Sequence, residues 1–249
     1  MYLALAIGLV LLSLVLHELA HAFWMRRYGL PIRRFGIGIP VPGLTLRFRV
    51  GETDVSVSPL VIGAFVATDD KAMQKLPWRE QADIYGGGPW ANIVFGATCI
   101  TATCLLVGSW RPLAIGTVIA SAAIAILPRT FGRYLVPAAG PFLLALLLGP
   151  LFLAPDPTEQ VAGPVGIVQI LNEHSFSLVQ AFWLSGVLSV SIALMNMLPL
   201  YPLDAGRTVI ALLKTRWPGA ADTYAGLSTV AMFLLFLFVM YADITKLFR

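Results

Sequence analysis

The sequence predicts an all-α polytopic membrane protein with about six transmembrane helices. Of its 249 residues, 58% are hydrophobic and only 12% are charged, whereas soluble domains carry about 25% charged residues. The hydrophobic residues form separate runs, most of them close to the length of about 20 residues that crosses a bilayer. The loops between the runs are alternately rich and poor in Lys and Arg. These three observations exclude an ordinary cytosolic domain, a disordered chain and a disulfide scaffold.

Six apolar runs are the predicted membrane spans. They cover approximately residues 1–25, 89–107, 112–127, 135–153, 178–198 and 225–242. Residues 203–213 have two interpretations, an amphipathic interfacial helix or the start of the last membrane hairpin. The first run resembles the core of a signal peptide, but no basic segment precedes it and Glu18 interrupts it, so we expect it to remain in the protein. Residues 1–249 are therefore expected to form a single membrane-embedded domain.

The basic residues predict how the helices are oriented in the membrane. They concentrate in residues 26–79, 129–133 and 207–216, which are every second loop. Loops rich in Lys and Arg stay in the cytoplasm, so both termini are expected outside. The formal net charge is +4, and the basic residues form short clusters rather than one patch, which argues against nucleic-acid binding. We expect an integral protein of a prokaryotic plasma membrane.

The first basic loop contains a predicted β-hairpin. Residues 44–50 and 55–58 alternate between apolar and polar, and Gly51 to Asp54 form a turn signal. The flanking residues are too apolar for a loop in water and too short to span a bilayer. We therefore expect the region 36–66 to dip into the cytoplasmic edge of the membrane, with its backbone covered by protein.

The strongest chemical signal is the motif His17-Glu18-Leu19-Ala20-His21. On a helix, residues i and i+4 share one face, so the two imidazoles can bind one metal ion. Glu18 can reach a metal-bound water as a general base. The alternative, a packed pair of histidines with a snorkelling glutamate, leaves a charge in lipid unexplained. The motif ends four residues before the basic loop, which predicts a site near the cytoplasmic face.

A catalytic zinc ion needs a third protein ligand. Arg27 occupies the position where a metzincin would have its third histidine, and His174 lies in a predicted outer loop. The acidic candidates are Glu52, Asp54, Asp69, Asp70 and Asp204. Asp204 is the best placed, because two prolines break the chain before it on the side where His17 lies. Its alternative role is the N-cap of a helix that starts near Ala205.

Several motifs, in this order along the chain, resemble the site-2 protease family of intramembrane zinc metalloproteases. They are His17–His21, the hairpin region 36–66, Gly87–Asn92, Gly163–Ile167 and Asn196–Asp204. The last three are similar to the family patterns Ala-Gly-Pro-x-x-Asn, Gly-Pro-Val-Gly and Asn-x-x-Pro-x-x-x-Leu-Asp. The chain departs from the family at Pro59–Phe65, where Pro-Leu-Gly-Gly-Tyr is usual, and at Ala205, where glycine is usual. We expect a compact form without a PDZ or CBS domain.

The resemblance implies an activity and a role for each site residue. His17, His21 and Asp204 would bind one catalytic Zn²⁺, Glu18 would be the general base, and Asn196 would contact the substrate backbone. The protein would be an endopeptidase that cuts transmembrane segments of other proteins, using the hairpin region to present an edge strand to the substrate. Its expected partners are a transmembrane protein substrate and the lipid bilayer, with an accessory membrane protein that gates access as a further candidate.

Two other functions stay open at this point. One is a non-proteolytic scaffold or transporter with a vestigial metal site, against which the presence of Glu18 counts. The other is a zinc hydrolase that acts on a lipid or a small molecule. Membrane di-iron hydroxylases and desaturases need about eight histidines, and this chain has three.

Overall fold

The computed structural model describes residues 2–60, 63–107, 131–135 and 177–247. The helices among them are α1 (Tyr2–Arg27), α2 (Asp70–Lys75), α3 (Trp78–Leu106), α4 (Leu178–Asn196), α5 (Asp204–Lys214) and α6 (Pro218–Leu247). The strands are β1 (Arg34–Ile37), β2 (Leu46–Val50), β3 (Thr53–Val57) and β4 (Ala64–Ala67). A π-helical turn covers Phe131–Leu135.

Four of the described helices, α1, α3, α4 and α6, are long and apolar enough to cross a membrane. They correspond to the predicted spans 1–25, 89–107, 178–198 and 225–242. The predicted span 112–127 lies outside the described residues, as does 135–153 apart from its first residue. The described part of the chain is thus mostly helical with one small sheet, and the total of six spans stays a prediction.

Two helix boundaries differ from the sequence prediction. Helix α3 begins at Trp78 rather than at 89, and α6 begins at Pro218 rather than at 225. The three glycines before Pro89 suggest a break, because glycine disfavours helix. The structure buries them against neighbouring backbone instead: a Cβ added to Gly86 would lie 2.3 Å from Gly132 Cα. Close packing through small residues compensates for the low helix propensity.

Helix α3 lies at the centre of the described bundle, in contact with α1, α4 and α5. Its contact with α4 is close because both helices present glycine there: a Cβ added to Gly96 would lie 2.8 Å from the Gly186 carbonyl oxygen. Without a hydrophobic driving force between helices in lipid, such backbone proximity supplies the van der Waals contact.

The region 36–66 belongs to a four-stranded sheet with the strand order β2-β3-β1-β4. β2 and β3 form an antiparallel pair joined by a tight turn at Gly51, where the chain was predicted to turn. The prediction of a hairpin alone is incomplete, because β1 pairs with β3 in parallel and with β4 in antiparallel orientation. The side of the membrane on which this sheet lies stays a prediction.

Residues 203–213 form their own helix. α5 starts at Asp204, ends at Lys214 and is separated from α6 by a short turn. It buries one face of small residues and leaves the other face, with Arg207 and Lys214, exposed or half-buried. The interpretation as an amphipathic helix is therefore the one that the structure supports.

A buried ion pair joins α3 to the turn at Phe131–Leu135. Asp83 is 1% exposed, and Arg133 donates to its carboxylate from Nε at 2.7 Å and from Nη2 at 2.5 Å. The hydroxyl of Tyr28 donates to the same carboxylate. This cluster links the end of α1, the first turns of α3 and the segment around Arg133.

Replacing Arg133 with Met should lower the free energy of unfolding by about 3–5 kcal/mol, because it leaves a buried carboxylate without its cation. The matched control is Arg49→Met, which removes an exposed ion pair to Asp54 with 3.8 Å between the charged atoms and should cost less than about 1 kcal/mol. Denaturant unfolding in detergent measures both values. Equal losses of unfolding free energy in the two variants would show that the ion pair at Asp83 stabilises the protein no more than an exposed ion pair does.

Candidate metal centre

Helix α1 places His17 and His21 on one face, as the spacing of four residues requires. Their ring centroids are 4.8 Å apart and the ring planes are nearly perpendicular, at 83°. Each residue is only 6% exposed. Two buried imidazoles in this arrangement can direct their Nε2 atoms to a common point.

Asp204 brings a carboxylate to the same point from a different helix. Its Oδ2 lies 3.2 Å from His17 Nε2 and 3.5 Å from His21 Nε2. Asp204 is the first residue of α5, and the residue at the N-cap position is Leu203, with no capping side chain. The role of N-cap is therefore wrong for Asp204. The chain folds back tightly here because Gly206 has no side chain: an added Cβ would lie 2.3 Å from the Leu200 carbonyl carbon.

The three residues fit a zinc ion. Their ligand atoms all lie within 4.8 Å of one another, and a tetrahedral zinc with bonds of about 2.0–2.2 Å separates its ligands by about 3.3–3.6 Å. Asp204 Oδ2 is buried and has no hydrogen-bond partner among the described residues, as expected for an atom that binds a metal. Burial raises the pKa of the Asp204 carboxyl, but the imidazoles of His21 and His17, when they are protonated, outweigh it and hold the pKa well below its usual range.

Gly88 on α3 forms the wall of this site. A Cβ added there would lie 2.4 Å from His17 Nε2 and 2.5 Å from His21 Nε2. Both distances are close to the length of a zinc–imidazole bond, about 2.0–2.1 Å. The space that a side chain at position 88 would fill is thus the space that a metal ion needs.

Helix α3 also orients one of the imidazoles. His21 Nδ1 lies 2.6 Å from the carbonyl oxygen of Ile84. This contact assigns the proton to Nδ1, which donates to the carbonyl, and leaves the Nε2 lone pair directed at Asp204 and Gly88. Histidine ligands of metals are commonly held in this way.

Glu18 and Asn196 line a cavity of about 340 Å³ that also contains His17, His21 and Asp204. Val66 in β4 lines the same cavity as Glu18, and Asn196 Nδ2 donates to the Ile192 carbonyl at 3.0 Å. The structure thus brings all five predicted site residues to one cavity.

The other acidic candidates lie elsewhere. Glu52 and Asp54 are exposed at the β2–β3 turn, where they pair with Arg33 and Arg49. Asp69 accepts hydrogen bonds as the N-cap of α2, and Asp70 follows it as an exposed residue. His174 and the motif Gly163–Ile167 lie outside the described residues.

Sequence reasoning missed three contributors to the site. They are Gly88, the Ile84 carbonyl, and the pair formed by Tyr85 and Arg207. Tyr85 and Arg207 both line the cavity, and the Arg207 guanidinium lies 6.0 Å from the centre of the Tyr85 ring. Gly88 was within a motif already noted, and a glycine directly before a proline in an apolar segment could have indicated a close approach. A backbone carbonyl leaves no signal in the sequence.

Two histidines and an aspartate lie at metal-binding distance, next to a glutamate in a helix that is long and apolar enough to cross a membrane. These groups are the donor set and the neighbouring base of a hydrolytic zinc site. A family model described as peptidase family M50 matches residues 4–238. The chain therefore belongs to peptidase family M50, the site-2 protease family whose motifs it resembles.

Two curated proteins, each named "Putative zinc metalloprotease", are similar to parts of the chain. The one from Synechocystis sp. is 28% identical over 102 residues, which are 36% of this chain and 27% of that protein. The one from Fusobacterium nucleatum subsp. nucleatum is 40% identical over 57 residues, 22% of this chain and 17% of that protein. Both matches cover less than a third of the relative's own length.

Replacing Asp204 with Ala should remove most of the bound zinc, because two imidazoles alone leave the site one ligand short of a catalytic set. Metal analysis of the purified variant measures the zinc content. The control is Asp222→Ala on α6, outside this cavity, which should keep the content of the unaltered protein. A full complement of zinc in Asp204→Ala would mean that another residue is the third ligand.

Proposed function

We propose that the protein is an intramembrane zinc endopeptidase that cleaves transmembrane segments of other membrane proteins near the cytoplasmic face. One observation carries this proposal: the side chains of His17, His21 and Glu18 lie in a helix that is long and apolar enough to cross a membrane, in a cavity bordered by an edge strand of the sheet. A soluble protease would have no need to place these groups there, where polar side chains are costly.

The chemistry follows from the residues in the cavity. Zinc bound by His17, His21 and Asp204 would polarise the scissile carbonyl and lower the pKa of a bound water to about 7. Glu18 accepts a proton as the water oxygen bonds to the carbonyl carbon, and it passes that proton to the amine nitrogen as the carbon–nitrogen bond breaks. Asn196 lines the same cavity, and the amide N–H that does not bond to Ile192 donates to the substrate backbone.

The strand β4 offers the substrate a binding edge. β4 is the last strand of the sheet, and Gly63 to Val66 line the cavity. Gly38 N–H donates to the Gly63 carbonyl, and hydrogen-bonded pairs alternate in an antiparallel ladder. The pair Phe35–Val66 is then a non-hydrogen-bonded pair, so the N–H and C=O of Val66 point away from β1. A substrate segment that leaves its helix can satisfy its own backbone groups by adding to this edge.

The opposite edge of the sheet supports contact with lipid. In β2, Leu46, Phe48 and Val50 are all more than half exposed. Large apolar side chains in such a row are costly in water, and burial in the membrane edge removes that cost. Together with the basic residues of this loop, the exposed strand supports a sheet that is inserted into the membrane at its cytoplasmic side.

The experiment that tests the function compares cells that express the unaltered protein with cells that express Glu18→Gln. Quantitative proteomics of the membrane fraction should show that some single-span proteins accumulate in the variant, with their cytosolic fragments lost. A scaffold or transporter predicts no difference between the two strains, and a hydrolase of another substrate class predicts a change in lipids or small molecules with membrane proteins unchanged. Substrates found in this way also allow a search for an accessory protein that gates access.

A further inference from the structure

A cluster of three polar side chains joins α1, α3 and α4 in the apolar interior of the bundle. Ser13 Oγ lies 2.7 Å from Ser189 Oγ and donates to Asn92 Oδ1 at 3.3 Å, and Ser189 Oγ lies 2.8 Å from the Asn92 carbonyl oxygen. None of the three residues is more than 1% exposed. Polar groups buried at this depth in a membrane protein are expensive unless they have a purpose.

The cluster lies one helical turn from the metal centre on two helices at once. Ser13 precedes His17 by four residues on α1, and Asn92 follows Gly88 by four residues on α3. Residues four apart lie on the same face of a helix. The contact between Ser13 and Asn92 is therefore adjacent to the contact in which Gly88 meets the imidazoles of His17 and His21.

The metal site depends on the separation of these two helices. α1 carries both imidazoles, and α3 carries the Ile84 carbonyl that orients His21 and the Gly88 backbone that leaves room for a metal. A wider separation of α1 and α3 would break the contact between the Ile84 carbonyl and His21, and a narrower separation would close the space at Gly88. Van der Waals packing alone tolerates small shifts, whereas hydrogen bonds between α1, α3 and α4 specify one distance.

Asn92 is the member of the cluster that packing explains least. It is 0% exposed, and its Nδ2 has no hydrogen-bond partner among the described residues. His17 Nδ1, one turn away along the same interface, is equally buried and without a partner in this part of the chain. A leucine has the same number of side-chain heavy atoms with the same branching and would occupy this position without the cost of burying an amide.

We infer that Asn92 is a positioning residue for the zinc ligands: with Ser13 and Ser189 it sets the α1–α3 distance at which His17 and His21 converge beside Gly88. The inference rests on the proposed zinc site. Asn92 touches neither substrate nor metal in this role, and it acts through the two histidines.

The test measures metal binding rather than proteolysis. The zinc affinity of the purified protein in detergent is determined by competition with a chelator, and Co²⁺ substitution reports ligand geometry through the visible absorption bands. Asn92→Leu should weaken zinc binding about ten- to a hundredfold, the range for residues that support metal ligands, and should shift the Co²⁺ bands. Ser189→Ala should change the zinc affinity and the Co²⁺ bands in the same direction by a smaller factor. Because this variant loses only one oxygen atom, it can test the inference even if Asn92→Leu does not fold.

The matched control is Ser185→Ala on the same helix α4. Ser185 is also fully buried, and its hydroxyl donates to the backbone carbonyls of Ala181 and Ala6 rather than to the cluster. The zinc affinity and Co²⁺ spectrum of Ser185→Ala should equal those of the unaltered protein, even if the unfolding temperature of this variant is lower.

The inference is overturned if Asn92→Leu and Ser189→Ala unfold at lower temperature yet keep the zinc affinity and Co²⁺ spectrum of the unaltered protein. Asn92 would then contribute only to packing. An unaltered protein that binds neither metal would overturn the zinc site and the proposed function with it.

Discussion

Replacing Glu18 with Gln is expected to lower the rate of peptide-bond cleavage by a factor of about 10²–10⁴, the usual contribution of a general base. The amide cannot accept the proton of the attacking water, while its size and its place on α1 stay the same. The three ligand atoms that converge on the site come from other residues than Glu18, so the zinc content should not change. The measurement is cleavage of a single-span substrate in detergent, together with metal analysis of the same sample.

The control for this variant is Glu52→Gln, which removes an exposed carboxylate that pairs with Arg33 at 3.7 Å in the sheet region. It should leave the cleavage rate within a factor of about two, since exposed ion pairs contribute little. Cleavage by Glu18→Gln at the unaltered rate would contradict the assignment of Glu18 as base. Loss of zinc together with activity would instead identify Glu18 as part of the metal site.

Replacing Gly88 with Ala is expected to abolish zinc binding and, with it, activity. The added Cβ would lie within 2.5 Å of the Nε2 atoms of both His17 and His21, whereas nonbonded atoms need more than 3 Å. The imidazoles must rotate away, and the methyl group would occupy the position of the metal. Zinc content and Co²⁺ absorption of the purified variant measure this directly.

The matched control is Gly87→Ala, one residue earlier in the same run of glycines. A Cβ there would meet the Trp24 ring at 2.7 Å and the Ala20 carbonyl at 3.2 Å, away from the imidazoles. This variant should lose stability through overcrowding, by about 1–3 kcal/mol, but the folded fraction should bind zinc. If Gly88→Ala binds zinc as Gly87→Ala does, the metal does not lie beside Gly88.

Two of the three candidate metal ligands could be predicted from the sequence because their signals are local. His17 and His21 are four residues apart on one helix, and a charge beside them in an apolar run is costly enough to require an explanation. Asp204 was harder to predict, because it lies 183 positions after His21 and only the helix break before it and the family resemblance favoured it. The structure places its Oδ2 3.2 Å from His17 Nε2.

The sheet shows how a local pattern can be correct and still incomplete. The alternation of residues 44–58 predicted β2 and β3, which pair in antiparallel orientation. The strands β1 and β4 have no such alternation, and β1 pairs in parallel with a strand that lies beyond β2 in the sequence. Parallel pairing depends on contacts between distant residues, so no short window of sequence could indicate it.

The sequence by itself was sufficient to predict a membrane protein with a zinc site in its first helix. The prediction used composition, charge pattern and the spacing of two histidines. Each of these signals depends only on how a side chain interacts with lipid or with residues on its own helix. The separation of α1 and α3 was decided only by the tertiary structure. It makes Gly88 the wall of the site, gives His21 its carbonyl partner and continues α3 back to Trp78 through three glycines that suggest a break. These features depend on which backbone atoms approach from another helix, and that information is distributed over the whole bundle.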